Sequence, residues 1–303
     1  MTAAVTNAPA ATPAPAAPTS ERAQARRESL RLLLRRPGFL VGVVLLTFWL
    51  ICAILAMLEV PYTPWDPFDG YDLKIDNPSP PSAAHILGTD RLGRDVLSRV
   101  LYGARDVFIV APPAALIGVV LGTLLGLVMG FYRGIVDDVI SRIVEAFLSL
   151  PVIMVALLTL VVLGSSSIVV IGVVGILFTP IVARTVRSAV LAERQLDYVT
   201  AARLRGESSP FIMVREILPN ILGPIIVELT VRFGYAIFTV ATLSFLGVGL
   251  QPPSPDWGLS VSQEYSNMIS GVWWPTVFPA LAIATTVVAV NLIADGLQSV
   301  LSE

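Results

Sequence analysis

Six long apolar runs constrain this chain more than any motif does; they cover residues 38–58, 107–130, 139–163, 166–190, 221–246 and 274–294. A helix rises about 1.5 Å per residue, so about 20 residues cross the ~30 Å hydrocarbon core of a bilayer. Backbone at that depth has no water to bond, and a helix satisfies its own N–H and C=O groups. The runs therefore predict an all-α, polytopic membrane protein with six transmembrane helices. Composition agrees: 14% of the residues are charged, against about 25% in soluble domains.

The segments between the runs set a direction. Residues 1–20 are Ala/Pro-rich and uncharged, and predict a disordered tail rather than a signal peptide. Residues 21–37 form a basic segment carrying Arg22, Arg26, Arg27, Arg31, Arg35 and Arg36, with leucines between them that suit a short interfacial helix. Arginines ahead of a first span predict a cytoplasmic N-terminus, and six spans return the C-terminus to the same side. Arg133, Arg142, Arg184, Arg187, Arg194, Arg203, Arg205 and Arg215 fall on that side too. The loops at 59–106 and 247–273 are then extracytoplasmic, and the second holds no Lys or Arg. Trp49, Tyr62, Trp65, Trp257, Trp273 and Trp274 lie near the outer ends of spans, as in an interfacial aromatic belt.

Several chemistries are excluded. Cys52 is the one cysteine, so no intrachain disulfide forms, and with His85 the one histidine a His/Cys metal site is not expected. A Walker A loop ends in Gly-Lys-Ser/Thr. The one lysine, Lys74, stands in "DLKID", so ATP-driven work belongs to a partner. There is no Ser/His/Asp set and no HExxH, so the chain is not expected to be an enzyme. No nucleic-acid partner is expected.

One stretch is polar where the rest is oily: "DYVTAARLRGESSPFIMVREILPN", residues 197–220. It predicts two short helices. Gly206 suits a left-handed cap after the first. Ser209 suits the N-cap of the second, with Pro210 at its first helical position. Phe211, Val214 and Leu218 are spaced as one apolar face. A small-residue tip ringed by arginines suits docking into a partner's groove, or it is an ordinary connecting loop with positive-inside charge.

"TAARLRGESSPFIMVREILP" resembles the EAA signature of importer-type ABC permeases. Ala201, Ala202, Gly206, Leu218 and Pro219 match at the family's spacing; Thr200 and Glu216 depart from it. "HILGTDRLGRDVLSRVLYGAR" (85–105) and "LSFLGVGLQPPSPDWG" (243–258) are similar to segments of the C-type subunits of dipeptide, oligopeptide and nickel permeases. The likeness covers roughly residues 30–300. It implies a bacterial cytoplasmic-membrane protein paired with a second, homologous permease subunit. Two cytoplasmic ATPase subunits, or one fused ATPase, would bind ATP and Mg. An extracytoplasmic binding protein would deliver di- or oligopeptides. This chain itself would hold no cofactor. The coupling surface would lie in the loop 192–219 and comprise Tyr198, Thr200, Ala201, Ala202, Arg203, Arg205, Gly206, Glu207 and Pro219. The alternative is a secondary transporter that works without ATP.

Other features stand on their residues. Gly118, Gly122, Gly126 and Gly130 recur every fourth position and allow another helix close, either an internal span or the sister subunit. Glu228 and Arg232 lie at i and i+4 within a span, on a peptide path or as a structural pair. Glu145 can reach Arg142 or Ser149. Asp137 and Asp138 suit a helix start. Pro151 and Pro180 suit kinks. His85 reads as a hydrogen-bonded loop residue, beside a salt-bridge cluster of Asp90, Arg91, Arg94 and Asp95.

Overall fold

The computed structural model describes residues 33–59, 65–68, 70–72 and 77–301. The tail at 1–20, Arg22 to Arg31 of the basic segment, Tyr62 and Lys74 lie outside the described residues. The helices are α1 (Pro37–Met57), α2 (Val96–Tyr132), α3 (Ile135–Leu148), α4 (Val152–Leu163), α5 (Ser167–Glu193) and α6 (Asp197–Leu204). Then α7 runs through Ser209–Phe211, a π-helical Ile212–Ile217 and Leu218–Asn220. The last three are α8 (Leu222–Phe245), α9 (Trp257–Glu264) and α10 (Trp274–Leu301).

Five of these are long and apolar enough to cross a membrane: α1, α2, α5, α8 and α10. The run at 139–163 is not the single span its hydropathy suggests. It breaks at Ser149–Pro151 into α3 and α4, bent by 84°, and the pair together is long and apolar enough for a sixth crossing. Pro151 explains the break, because its ring removes an N–H and disfavours helix before it. The helix expected at 107–130 starts instead at Val96, where the Asp95 carboxylate accepts from the Ser98 N–H.

α2 and α5 form the spine. A Cβ added to Gly122 would lie 2.5 Å from the Val182 Cβ, and one on Gly126 or Gly130 would lie 2.7 or 2.6 Å from the Cβ of Val186 or Val190. Gly118 meets Phe178 in the same way. The partner of the ladder is therefore an internal span. The numbers rise together on both helices, so α2 and α5 run parallel. Two parallel spans need a return crossing between them, and α3–α4 supplies it. α10 runs antiparallel to α1, with Gly42 against Ala289 and Gly296 against Phe39. The Pro37 and Leu301 ends thus share a side with the polar segment.

The aromatic belt is not what the tryptophans build. Trp257 is fully buried, and Trp49 and Trp274 nearly so; only Trp273 is exposed among these four. Trp257 donates Nε1–H to the Val100 carbonyl at 2.8 Å, and its ring meets Trp49 edge-on at 4.8 Å. Trp49 in turn donates to the Thr285 hydroxyl at 3.2 Å. These two rings join α1, α2, α9 and α10 inside the fold.

Gly122→Leu should drive α2 off α5. Overpacking costs about 1–3 kcal/mol where neighbours can shift, and more against backbone. The expected result is a large fall in thermal stability of the detergent-purified protein. Wild-type melting behaviour in that variant would contradict the spine.

Candidate functional site

The polar segment folds against the end of the spine. α6 begins after Leu196 and closes at Gly206, which has φ +78°. The Gly206 N–H donates to the Arg203 carbonyl at 3.0 Å and the Glu207 N–H to that of Ala202 at 3.2 Å. That left-handed stop is natural for glycine, which has no Cβ to clash. Val199 and Ala202 are fully buried against Val186, Val190 and Phe131 of the spine. Ala202 therefore faces inward and is not part of an exposed docking surface. Thr200, Ala201, Arg203, Arg205 and Gly206 face outward, Pro219 is exposed, and Glu207 is half-buried. Leu204 is 85% exposed, a large apolar side chain at the tip that the motif reading passed over.

The second helix departs from its predicted register. Ser208, not Ser209, is the N-cap, and its side chain makes no cap bond. Phe211 and Val214 are exposed; Ile212, Met213 and Ile217 are buried instead. The π turn over Ile212–Ile217 rotates the helix relative to a 3.6-residue repeat, so the i, i+3, i+7 count selects the wrong face.

Three contacts brace this segment. The Tyr198 hydroxyl donates to Glu193 Oε2 at 2.6 Å, and burial, with that bond, pushes the phenol up to about 12. Tyr198 is thus a neutral strap from α6 to the end of α5. The Arg203 and Arg194 guanidinium groups lie 5.2 and 5.9 Å from the Phe131 ring centroid at the end of α2. Arg205 pairs with Glu207 at 3.4 Å and Glu216 at 3.1 Å, both at the surface, where such pairs contribute little.

The intramembrane pair forms as spaced. Arg232 Nε donates to Glu228 Oε1 at 2.8 Å, and both side chains are largely buried. The guanidinium also sits 4.9 Å from the Tyr235 ring centroid and 5.9 Å from that of Phe178. On α3, the N-cap is Gly134, and neither Asp137 nor Asp138 caps it. Asp137 reaches α5 instead, accepting from Arg187 Nε and Nη2 at 2.6 Å each. Glu145 pairs with neither Arg142 nor Ser149 through its side chain; the Ser149 hydroxyl donates to Ala146.

The opposite end holds a buried polar network that the sequence showed only in part. His85 is fully buried, with Nδ1 2.9 Å from Asp95 and Nε2 3.5 Å from Asp72. Asp90 pairs with Arg94 at 2.6 Å, while Arg91 turns to Glu264 at 3.6 Å. Arg99 donates to the carbonyls of Pro67 and Ser254, each at 3.0 Å. Asp106 accepts from the Ser254 hydroxyl. Asp256 caps α9 through the Leu259 N–H at 2.8 Å, and burial pushes its carboxyl up to about 6.

The sequence profile of binding-protein-dependent transport system inner membrane components matches residues 122–303. The chain belongs to that family. It is 38% identical over 273 residues to the dipeptide transport system permease protein DppC of Escherichia coli, covering 88% of this chain and 89% of that one. The di/tripeptide transport system permease protein DppC of Pseudomonas aeruginosa is 35% identical over 303 residues, covering 97% and 96%. The glutathione transport system permease protein GsiD of Pectobacterium atrosepticum is 38% identical over 263 residues, covering 87% and 84%. This permease is an inner-membrane protein, and the family places it in a system that depends on a binding protein. Nothing in that membership favours an ATP-independent transporter.

Asp256 gives a pH test. Its folded-state pKa lies above the ordinary 3.8, so the stability it contributes is fully present below about pH 4 and is lost as pH rises through about 6. Asn caps a helix as well as Asp does. Asp256→Asn should therefore raise the melting temperature at pH 7.5, raise it by less at pH 5, and change it little below about pH 4. Asp256→Ala loses the cap, about 1 kcal/mol. A drop in melting temperature for the Asn variant at pH 7.5 would show that the carboxylate charge is needed.

Proposed function

We propose that this permease is one of two non-identical membrane subunits of an ATP-driven importer. It takes di- or oligopeptides from an external binding protein, and cytoplasmic ATPases drive it through α6. The N- and C-termini and the polar segment then lie in the cytoplasm. The observation that carries this reading is α6 itself. It is short and stiffly capped, seated on the spine through Val199 and Ala202, and it presents Leu204 and three outward small or basic positions to solvent. An exposed leucine between two arginines fits an apolar cleft with an acidic rim. A push there passes to α5 through the buried face and to α2 through Phe131.

Peptides are supported as the cargo by the relatives that carry dipeptide and di/tripeptide names. Within the bundle, Glu228 and Arg232 offer one charge of each sign, as a zwitterionic peptide does. The pair is proposed to border the path, with Tyr235 as its exposed edge.

Two experiments test this. Purification of the tagged protein in mild detergent should recover a second permease chain and ATPase subunits in fixed ratio. Leu204→Ser should cut ATPase recovery about tenfold, as for an interface hot spot, with no change in melting temperature. Ala202→Leu should lower both. Recovery of the chain alone, still transporting in vesicles without ATP, would end the importer reading. For the path, the exchanged pair Glu228→Arg with Arg232→Glu keeps the ion pair but reverses its direction. It should lower peptide transport at least tenfold. Normal rate and unaltered preference would leave the pair a structural role.

A further inference from the structure

Between α5 and α6 the chain turns at residues 194–196. The glycine–valine seam stops short of that turn, at Gly130 and Val190. The angle of α6 against the spine therefore rests on contacts beyond the seam. Val199 and Ala202 give an apolar footing, and Tyr198 straps α6 to Glu193 of α5. The charged contact with α2 runs through one ring. Phe131, in the last turn of α2, is 6% exposed. Arg194 in the turn and Arg203 near the far end of α6 lie 5.9 and 5.2 Å from its centroid. One ring of α2 thus takes a cation from each side of the joint. Neither guanidinium has a hydrogen bond or ion pair with another described residue, and Arg194 Nη1 is buried without an acceptor. The nearby acids are engaged: Glu193 accepts from Tyr198, and Glu207 pairs with Arg205. Burial, with the charges of Arg203 and Arg133, holds the Arg194 guanidinium below its ordinary value, as expected where no carboxylate faces it. The π face of Phe131 is what offsets these neighbouring like charges.

We infer that Phe131 is a positioning residue for coupling: gripped by Arg194 and Arg203, it fixes the angle of α6, so that a push on α6 moves α2 rather than turning α6 about residues 194–196. This rests on the importer reading above and names the joint through which the push travels. A cation is attracted to a ring anywhere within about 6 Å of the centroid, whereas a hydrogen bond weakens steeply as its angle closes. The grip therefore holds while α6 shifts by a fraction of that distance. A bidentate salt bridge at the same place would lock one arrangement. Arg203 is next to Leu204, so the residue that meets the ring also stands beside the exposed tip.

For the test, the complete complex is reconstituted with its binding protein in liposomes, and dipeptide taken up per ATP hydrolysed is counted, with a mixture of tritiated dipeptides as cargo. Phe131→Leu keeps an apolar side chain and removes the ring. It should lower that ratio at least about fivefold, the worth of one cation–π contact, while ATP hydrolysis continues. Phe131→Tyr keeps the ring and should hold the wild-type ratio. Arg194→Met should lower the ratio, and Arg194→Lys should restore most of it. Phe131→Leu combined with Arg194→Met should lose no more than Phe131→Leu alone, because both remove one shared interaction. A wild-type ratio in Phe131→Leu would overturn the inference. So would equal losses in Phe131→Tyr and Phe131→Leu, or losses that multiply in the double variant, since either marks packing alone. If Phe131→Leu does not assemble, Arg194→Met decides: a ratio matching wild type refutes the grip. A wild-type complex that takes up dipeptide without hydrolysing ATP would instead strike the importer reading itself, and this inference with it.

Discussion

Glycines at every fourth position of α2 let the side chains of Phe178, Val182, Val186 and Val190 rest directly on its backbone. In a bilayer no hydrophobic effect draws helices together, so association depends on close van der Waals contact. β-branched valines suit such a seam because they lose little freedom on packing. The contact repeats at four positions in strict register and fixes the two helices as one parallel unit. Much of the remaining topology follows. A parallel pair adjacent in sequence forces the chain to cross back between them, and residues 135–163 do so as a bent pair rather than a straight span. The bend frees α3 to lean along the spine, where Asp137 anchors it to Arg187.

The lower half of the spine is also the seat of the polar segment. Val119, Leu127, Phe131, Val182, Val186 and Val190 share one buried cluster with Val199, Ala202, Ile212 and Ile217. No flexible linker separates the exposed face of α6 from the membrane helices. Interiors packed at such density transmit displacement rather than absorb it. A force on α6 therefore moves α2 and α5 together, and α7 carries it on to α8 through Ile217 and Ile221. The opposite end is built differently. Trp257 and Arg99 tie α9 and the loop before it to α2 by directional hydrogen bonds, which hold a geometry rather than slide. The fold is thus held by directional bonds at one end and by close packing at the other.

The six apolar runs were legible because hydrocarbon imposes length and composition on anything that crosses it. The glycine ladder was legible because spacing alone shows it, although only the structure chose α5 over a sister chain. Other features depend on where elements meet. Trp257 and Trp49 read as belt residues, since a tryptophan near the end of a span looks the same in sequence whether it faces lipid or a neighbouring helix. The face of α7 was misread because a π turn leaves no periodic trace of its own. Leu204 passed unnoticed because an apolar residue in an apolar chain carries no contrast until its exposure is known.

Ala202 separates two meanings of a motif. Its spacing from Gly206 places it in a docking signature, and its complete burial places it in the spine's core. Both follow from one requirement. A helix that lies flat on valines with its other side in solvent needs a side chain no larger than a methyl beneath it. The alanine that marks the signature then works from below, holding Arg203, Leu204 and Arg205 at a fixed height. The same division applies to glycine 206, whose role is to end α6 sharply enough that Leu204 stands at the tip.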